Sequence, residues 1–212
     1  MAHYDLEEQE QIDTLKTWWK LYGNLVTGVI TAGCLVVLGW QGWSWYQRSQ
    51  TAEASAVFSV LEQGVATGDA QKVKTAAGEL TEKFGGTTYA ALGALLAAKQ
   101  SFAAGDLKTA RVQLNWAADN GKEELKDLAR LRLAAVLLDD KAYDEALKQL
   151  EASHAAAFDG RFLELKGDIL VAQDKKTEAR LAYRAALDKA GELPPAGREL
   201  LQQKLDSLGE AS

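Results

Sequence analysis

"DLARLRLAAVLLDDKAYDEALKQLEAS", residues 127–153, reads as two helical runs parted by the polar turn "LDDKAYDE". Apolar residues recur every three or four positions on each side, the period of an amphipathic helix. Two further segments align with it without gaps: "ALGALLAAKQSFAAGDLKTARVQLNWA" from Ala91 and "GRFLELKGDILVAQDKKTEARLAYRAA" from Gly160. In each, twelve residues part the small residue of the first helix from that of the second. The pairs are Ala98 and Ala110, Ala134 and Ala146, Gly167 and Ala179. A bulky residue stands four further on (Leu114, Leu150, Tyr183), and another small one follows (Ala117, Ser153, Ala186). Small residues let two helix backbones approach, and the bulky one fills the space beside them. The segments begin 36 and 33 residues apart, which predicts stacked helical hairpins.

Working outward, "ASAVFSVLEQGVATGDAQKVKTAAGELTEKF" from Ala54 reads as a degenerate earlier hairpin, with Leu61 and Val73 at the small positions. After Pro194–Pro195, "AGRELLQQKLDSL" reads as the capping helix that a stack requires at its end. The turns carry Asp residues suited to capping the helices that follow. The pattern resembles the tetratricopeptide repeat, a helix–turn–helix unit of about 34 residues, with the signature Trp and Pro positions unfilled. That resemblance implies a concave face lined by the first helix of each unit. It would take Leu92, Leu95, Lys99 and Phe102 from the first clear unit, and Leu128, Leu131, Ala135 and Leu138 from the second. Arg161, Glu164, Asp168 and Val171 would come from the third. Two greasy floors and one charged one predict a groove for apolar segments, from a chaperone partner or an emerging chain. The alternative is that the capping helix or a neighbouring hairpin covers the floor and makes it core.

The other end of the chain has a different composition. "GWQGWSWYQR", residues 39–48, holds Trp40, Trp43, Trp45 and Tyr46, and a second aromatic group is Trp18, Trp19 and Tyr22. Between Lys20 and Arg48 there is no charged residue. About 20 apolar residues suffice to cross a bilayer as a helix, and indole and phenol rings favour its two interfaces. A membrane-spanning helix over 21–46 is predicted, with the aromatics as its interface belts in the lipid bilayer. A secretory signal starts basic and is short, whereas this chain starts "MAHYDLEEQEQID", so a retained anchor is expected. Lys16 and Lys20 against the single Arg48 favour a cytoplasmic N-terminus. Ile12, Leu15, Trp18 or Trp19 and Tyr22 recur at helical spacing, so 5–22 should be an amphipathic helix that rests on lipid or docks to a partner. The expected layout is all-α. A cytoplasmic segment fills 1–20, the span 21–46, and a repeat domain on the far side of the membrane 47–212. Its hairpins lie near 52–84, 88–120, 125–154 and 158–190, and its capping helix at 195–208.

Chemistry is sparse. The chain has two histidines, His3 and His154, and one cysteine, Cys34. No paired cysteines, metal-ligand spacing, phosphate loop or nucleophile elbow occurs, so no catalytic residue, metal or cofactor and no small-molecule substrate is expected. A net charge of −6 offers no basic footprint for nucleic acid. Gly28 and Ala32 make a small-x-x-x-small pair that could pack against another membrane helix.

"YDLEEQEQIDTLKTWWKLYGN" before the span, "GWQGWSWYQ" after it and Ala-rich hairpins to the end resemble the ancillary SecYEG translocon subunit family. The resemblance covers essentially the whole chain. It implies a single-pass bacterial inner-membrane protein with a periplasmic repeat domain and no catalytic residues. It further implies association with the SecYEG translocon and with a membrane-anchored periplasmic isomerase-type chaperone, in the service of translocated proteins. A scaffold or assembly factor for another bacterial envelope complex is the competing reading.

Overall fold

Helix-forming residues and the alternation of small with bulky side chains produce a succession of helices. The computed structural model describes residues 6–189 and 195–209. Among these the regular elements are α1 (Leu6–Thr67), α2 (Ala70–Lys83), α3 (Thr88–Ala103), α4 (Leu107–Asn120) and α5 (Glu123–Asp139). They continue with α6 (Tyr143–Leu150), a 3-10 turn at Ala156–Phe158, α7 (Asp159–Ala172), α8 (Lys176–Asp188) and α9 (Pro195–Ser207). The fold is all-α. It divides into two units, 1–49 and 50–212, and α1 contributes to both. The first five residues of the expected cytoplasmic segment, with His3 and Asp5, lie outside the described residues, as does residue 190 at the end of the last expected hairpin.

In the first unit most apolar side chains from Leu25 to Leu38 are exposed. Leu25, Val29, Ile30, Leu35, Val36, Val37 and Leu38 are each 59–72% exposed. The helix is long and apolar enough to cross a membrane. Its hydroxyls are answered internally: Thr27 donates to Gly23 O at 2.7 Å and Thr31 to Thr27 O at 2.8 Å. That suits an apolar solvent, where an unpaired hydroxyl would cost several kcal/mol. Trp18 packs beside Tyr22 and Trp43 beside Tyr46, with ring centroids 5.7 and 6.3 Å apart.

In the second unit four hairpins turn by one backbone device. Gly68, Gly105, Lys141 and Asp174 all have left-handed φ, at 69°, 77°, 59° and 59°. Each donates its N–H to the carbonyl three residues back, and the next residue donates to the carbonyl five before it. In the first hairpin these bonds are Gly68 to Val65 and Asp69 to Gly64; in the third they are Lys141 to Leu138 and Ala142 to Leu137. This is the Schellman arrangement, which satisfies the orphan carbonyls of a helix end. The hairpin of α1 and α2, degenerate in sequence, therefore turns like the others. The expected Asp caps occur in two turns only. Asp69 accepts from Lys72 N and Asp106 from Thr109 N, at 2.9 and 3.0 Å. In the two turns without glycine the left-handed position falls to Lys141 and Asp174, and the caps are Ala142 and Lys175 with no side-chain bond.

The small residues sit at the helix crossings. Ala110, Ala134, Ala146 and Ala179 are fully buried, as are Leu61 of the first hairpin and Ala117 and Ala186 of the later ones. Ser153 departs from the pattern: α6 ends at Leu150 and the serine is exposed. The chain there is strapped to α5 instead, because Asp127 accepts the Ala155 N–H at 2.9 Å and Arg130 donates to Ser153 O at 2.9 Å. Trp116 packs against both the core around α3–α7 and the core around α1–α3.

Candidate partner groove

The first helices of successive units, α3, α5 and α7, bring residues to one face. Two adjoining hollows open there and share Arg132 and Ala135. One, of about 290 Å³, is lined by Lys99 and Phe102 of α3, Leu114 of α4, and Arg132, Ala135 and Val136 of α5. The other, of about 600 Å³, runs from Leu128 and Leu131 to Arg161, Glu164 and Asp168 of α7, with Gly197 and Leu200 of α9 in its wall. Phe102 is 43% and Leu200 51% exposed, so apolar surface is on offer.

The expected floor divides. Lys99, Phe102, Leu128, Leu131, Ala135, Arg161, Glu164 and Asp168 line the hollows. Leu95 does not: it is 3% exposed, buried within the core cluster of α3–α7. Leu138 packs against the same cluster, and Leu92 lines neither hollow. Val171 is exposed at the end of α7. Arg132 was missing from the expected set. It stands one turn from both Leu128 and Ala135 on the same helix, and that spacing was the available signal.

The acids of the third unit are engaged by α9. Lys204 donates to Glu164 Oε1 at 2.7 Å and to Asp168 Oδ2 at 2.9 Å. The Tyr183 hydroxyl donates to Asp168 Oδ1 at 2.7 Å. Burial, then the hydrogen bond and charge of Asp168, hold that hydroxyl far above the ordinary phenol range. Burial works against the Lys204 ammonium, but the bonds and charges of Glu164 and Asp168 prevail and raise its pKa. Leu201 is fully buried beneath, and Arg180, itself 7% exposed, donates to Leu208 O at 2.9 Å and to Gly209 O at the end of α9. The capping helix thus closes the end of the groove and leaves the section over α3 and α5 open.

Among the described residues no cluster of three His, Cys, Asp or Glu side chains could hold a metal. His154 stacks on Phe162 with centroids 3.9 Å apart, and its ring nitrogens meet Ala152 O at 2.8 Å and Asp159 Oδ1 at 3.3 Å. It is a structural histidine at the α6–α7 connection.

A family model described as a tetratricopeptide repeat-like domain matches residues 16–210. Proteins named ancillary SecYEG translocon subunit are similar over nearly their full length. The one from Neisseria gonorrhoeae is 36% identical over 208 residues, covering 96% of this chain and 98% of the relative. That from Haemophilus influenzae is 30% identical over 206 residues, covering 97% and 99%. That from Escherichia coli is 28% identical over 205 residues, covering 95% and 96%. The long apolar helix, the four hairpins and these relatives agree: the chain belongs to the ancillary SecYEG translocon subunit family, a non-enzymatic scaffold built on tetratricopeptide-like repeats.

Proposed function

We propose that the chain is a single-pass inner-membrane scaffold at the SecYEG translocon. Its N-terminus is cytoplasmic and residues 47–212 are periplasmic, where the repeats link the channel to a membrane-anchored isomerase-type chaperone and assist translocated proteins. The observation that carries this reading is the pairing of a bare apolar helix with a repeat unit whose groove is open. The apolar helix has a natural cover in lipid, and the exposed floor around Phe102 suits an apolar partner segment. The relatives' shared name supports the choice of machine. Lys16 and Lys20 before the span, against Arg48 after it, support the orientation.

Purification in mild detergent tests the assignment: translocon subunits and a periplasmic isomerase should co-elute. Co-elution of a different envelope complex in their place would favour the assembly-factor reading. Protease added to intact spheroplasts should digest the C-terminal unit, and protection of that unit would reverse the topology.

A further inference from the structure

Three cations line the groove without an anionic partner among the described residues: Lys99, Arg132 and Arg161. All three are exposed. The acids on the same face, Glu164 and Asp168, are held by Lys204 at 2.7 and 2.9 Å. Lys204 answers one of those two negative charges, and three cations against the one that remains leave this face net positive, in a chain whose net charge is −6. Elsewhere on this unit an arginine in reach of acids takes them up: Arg111 of α4 meets Asp140 at 2.6 Å and Glu145 at 2.9 Å. Lys99, Arg132 and Arg161 make no ion pair of this kind among the described residues, and the carboxylates that share a hollow with the two arginines, Glu164 and Asp168, bond Lys204 instead.

We propose that the groove receives an acidic segment of another polypeptide. Its apolar side chains rest on Phe102, Leu131 and Leu200, and its Asp or Glu residues meet Lys99, Arg132 and Arg161. The inference rests on the reading of the groove as a partner site and adds the sign of the partner's charge. Complementary potential selects partners and register, and unpaired cations beside a greasy floor repel a basic segment of equal hydrophobicity. Arginine adds geometry, since its planar fork accepts a carboxylate through two parallel N–H bonds.

The test uses full-length protein in mild detergent and two labelled helical peptides of identical Leu and Ala content. One carries Glu at its polar positions and the other Lys, and binding is read by fluorescence anisotropy. The Glu peptide should bind at least about tenfold more tightly, and the triple variant Lys99→Glu, Arg132→Glu, Arg161→Glu should invert the preference. These side chains are exposed and unpaired, so the variant should melt as the parent does. Equal binding of the two peptides, or indifference to the triple reversal, overturns the proposal. The variant Phe102→Ser, Leu200→Ser separates the two levels. If it removes binding of both peptides while charge reversal does nothing, the groove stands and the charge inference falls. If neither peptide binds the parent, both fall. Self-association of the protein that the triple reversal abolishes would make the occupant a second copy, and would overturn the proposal as well.

Discussion

Gly167 lies so close under Tyr183 that a Cβ built on it would stand 2.3 Å from the ring's Cε1 atom. Here α7 and α8 touch almost backbone to ring, and the ring has nowhere to go. It is buried, and its hydroxyl is fixed on Asp168 at 2.7 Å. Gly167→Ala should therefore destabilise the repeat unit by about 1–3 kcal/mol through overpacking, even though alanine is the better helix former by about 1 kcal/mol. Thermal denaturation followed by circular dichroism should show a drop of roughly 2–4 °C per kcal/mol. An unchanged or higher midpoint would mean that the crossing has slack.

The left-handed turns give a prediction of opposite sign. Lys141 and Asp174 hold φ of 59° where the matching turns have Gly68 and Gly105. A side chain in this region costs about 1–2 kcal/mol, partly offset by the entropy that glycine loses on folding. Lys141→Gly and Asp174→Gly should each stabilise by about 0.5–1 kcal/mol, and Gly105→Ala should destabilise by a similar amount. Urea titration of the three variants checks both directions at once.

Much of this was legible because the repeat is written in residues that have one job. Ala110, Ala146 and Ala179 recur at fixed distance from their partners, and all three are fully buried. Leu61 and Val73 stood out as oversized for that position, yet the first hairpin accommodates both in its core. The groove was legible only in part. The four residues expected of each unit on the concave face define a helix face, but a face is wider than a hollow. Leu95 falls on its inner margin and is buried in the core, while Arg132 falls on its outer margin and lines both hollows. The ion pairs of Lys204 join residues 36 and 40 positions apart, and no local pattern announces them. The missing caps at Ala142 and Lys175 follow from the same limit. The shared turn makes the residue after the left-handed one the cap in every hairpin, and only in two of them is that residue an Asp.

The seat of α9 should weaken in alkali. Both Tyr183 and Lys204 have pKa values raised by folding, from ordinary values of 10.0 and 10.5. A raised value means that the folded state holds the proton when the unfolded chain has begun to lose it. The stabilisation is complete below the ordinary pKa and falls as pH climbs beyond it. Unfolding free energy should be level near neutrality and decline between about pH 10 and 12. Tyr183→Phe removes a hydrogen bond worth about 1 kcal/mol at neutral pH, but it also removes the tyrosine's share of the alkaline decline. The two proteins should converge as pH rises. Parallel curves would show that the hydroxyl does not contribute to the linkage.

Leu95 and Phe102 lie two turns apart on α3, yet one is 3% and the other 43% exposed. The difference turns a question about the groove into a paired measurement. Leu95→Ala removes methyl groups from a packed core and should cost about 2–5 kcal/mol, with a lower melting temperature and partner capture reduced only as folded protein is lost. Phe102→Ala trims an exposed wall of the open hollow and leaves the core cluster intact, so its effect on stability should be well below that of Leu95→Ala. If the groove is where a partner sits, Phe102→Ala should abolish co-purification while the melting temperature holds, because an aromatic anchor in a pocket carries a large share of binding energy. Full partner recovery with Phe102→Ala would place the partner surface elsewhere on the repeats. A melting temperature that falls as far for Phe102→Ala as for Leu95→Ala would show instead that the hollow is closed over by the chain itself.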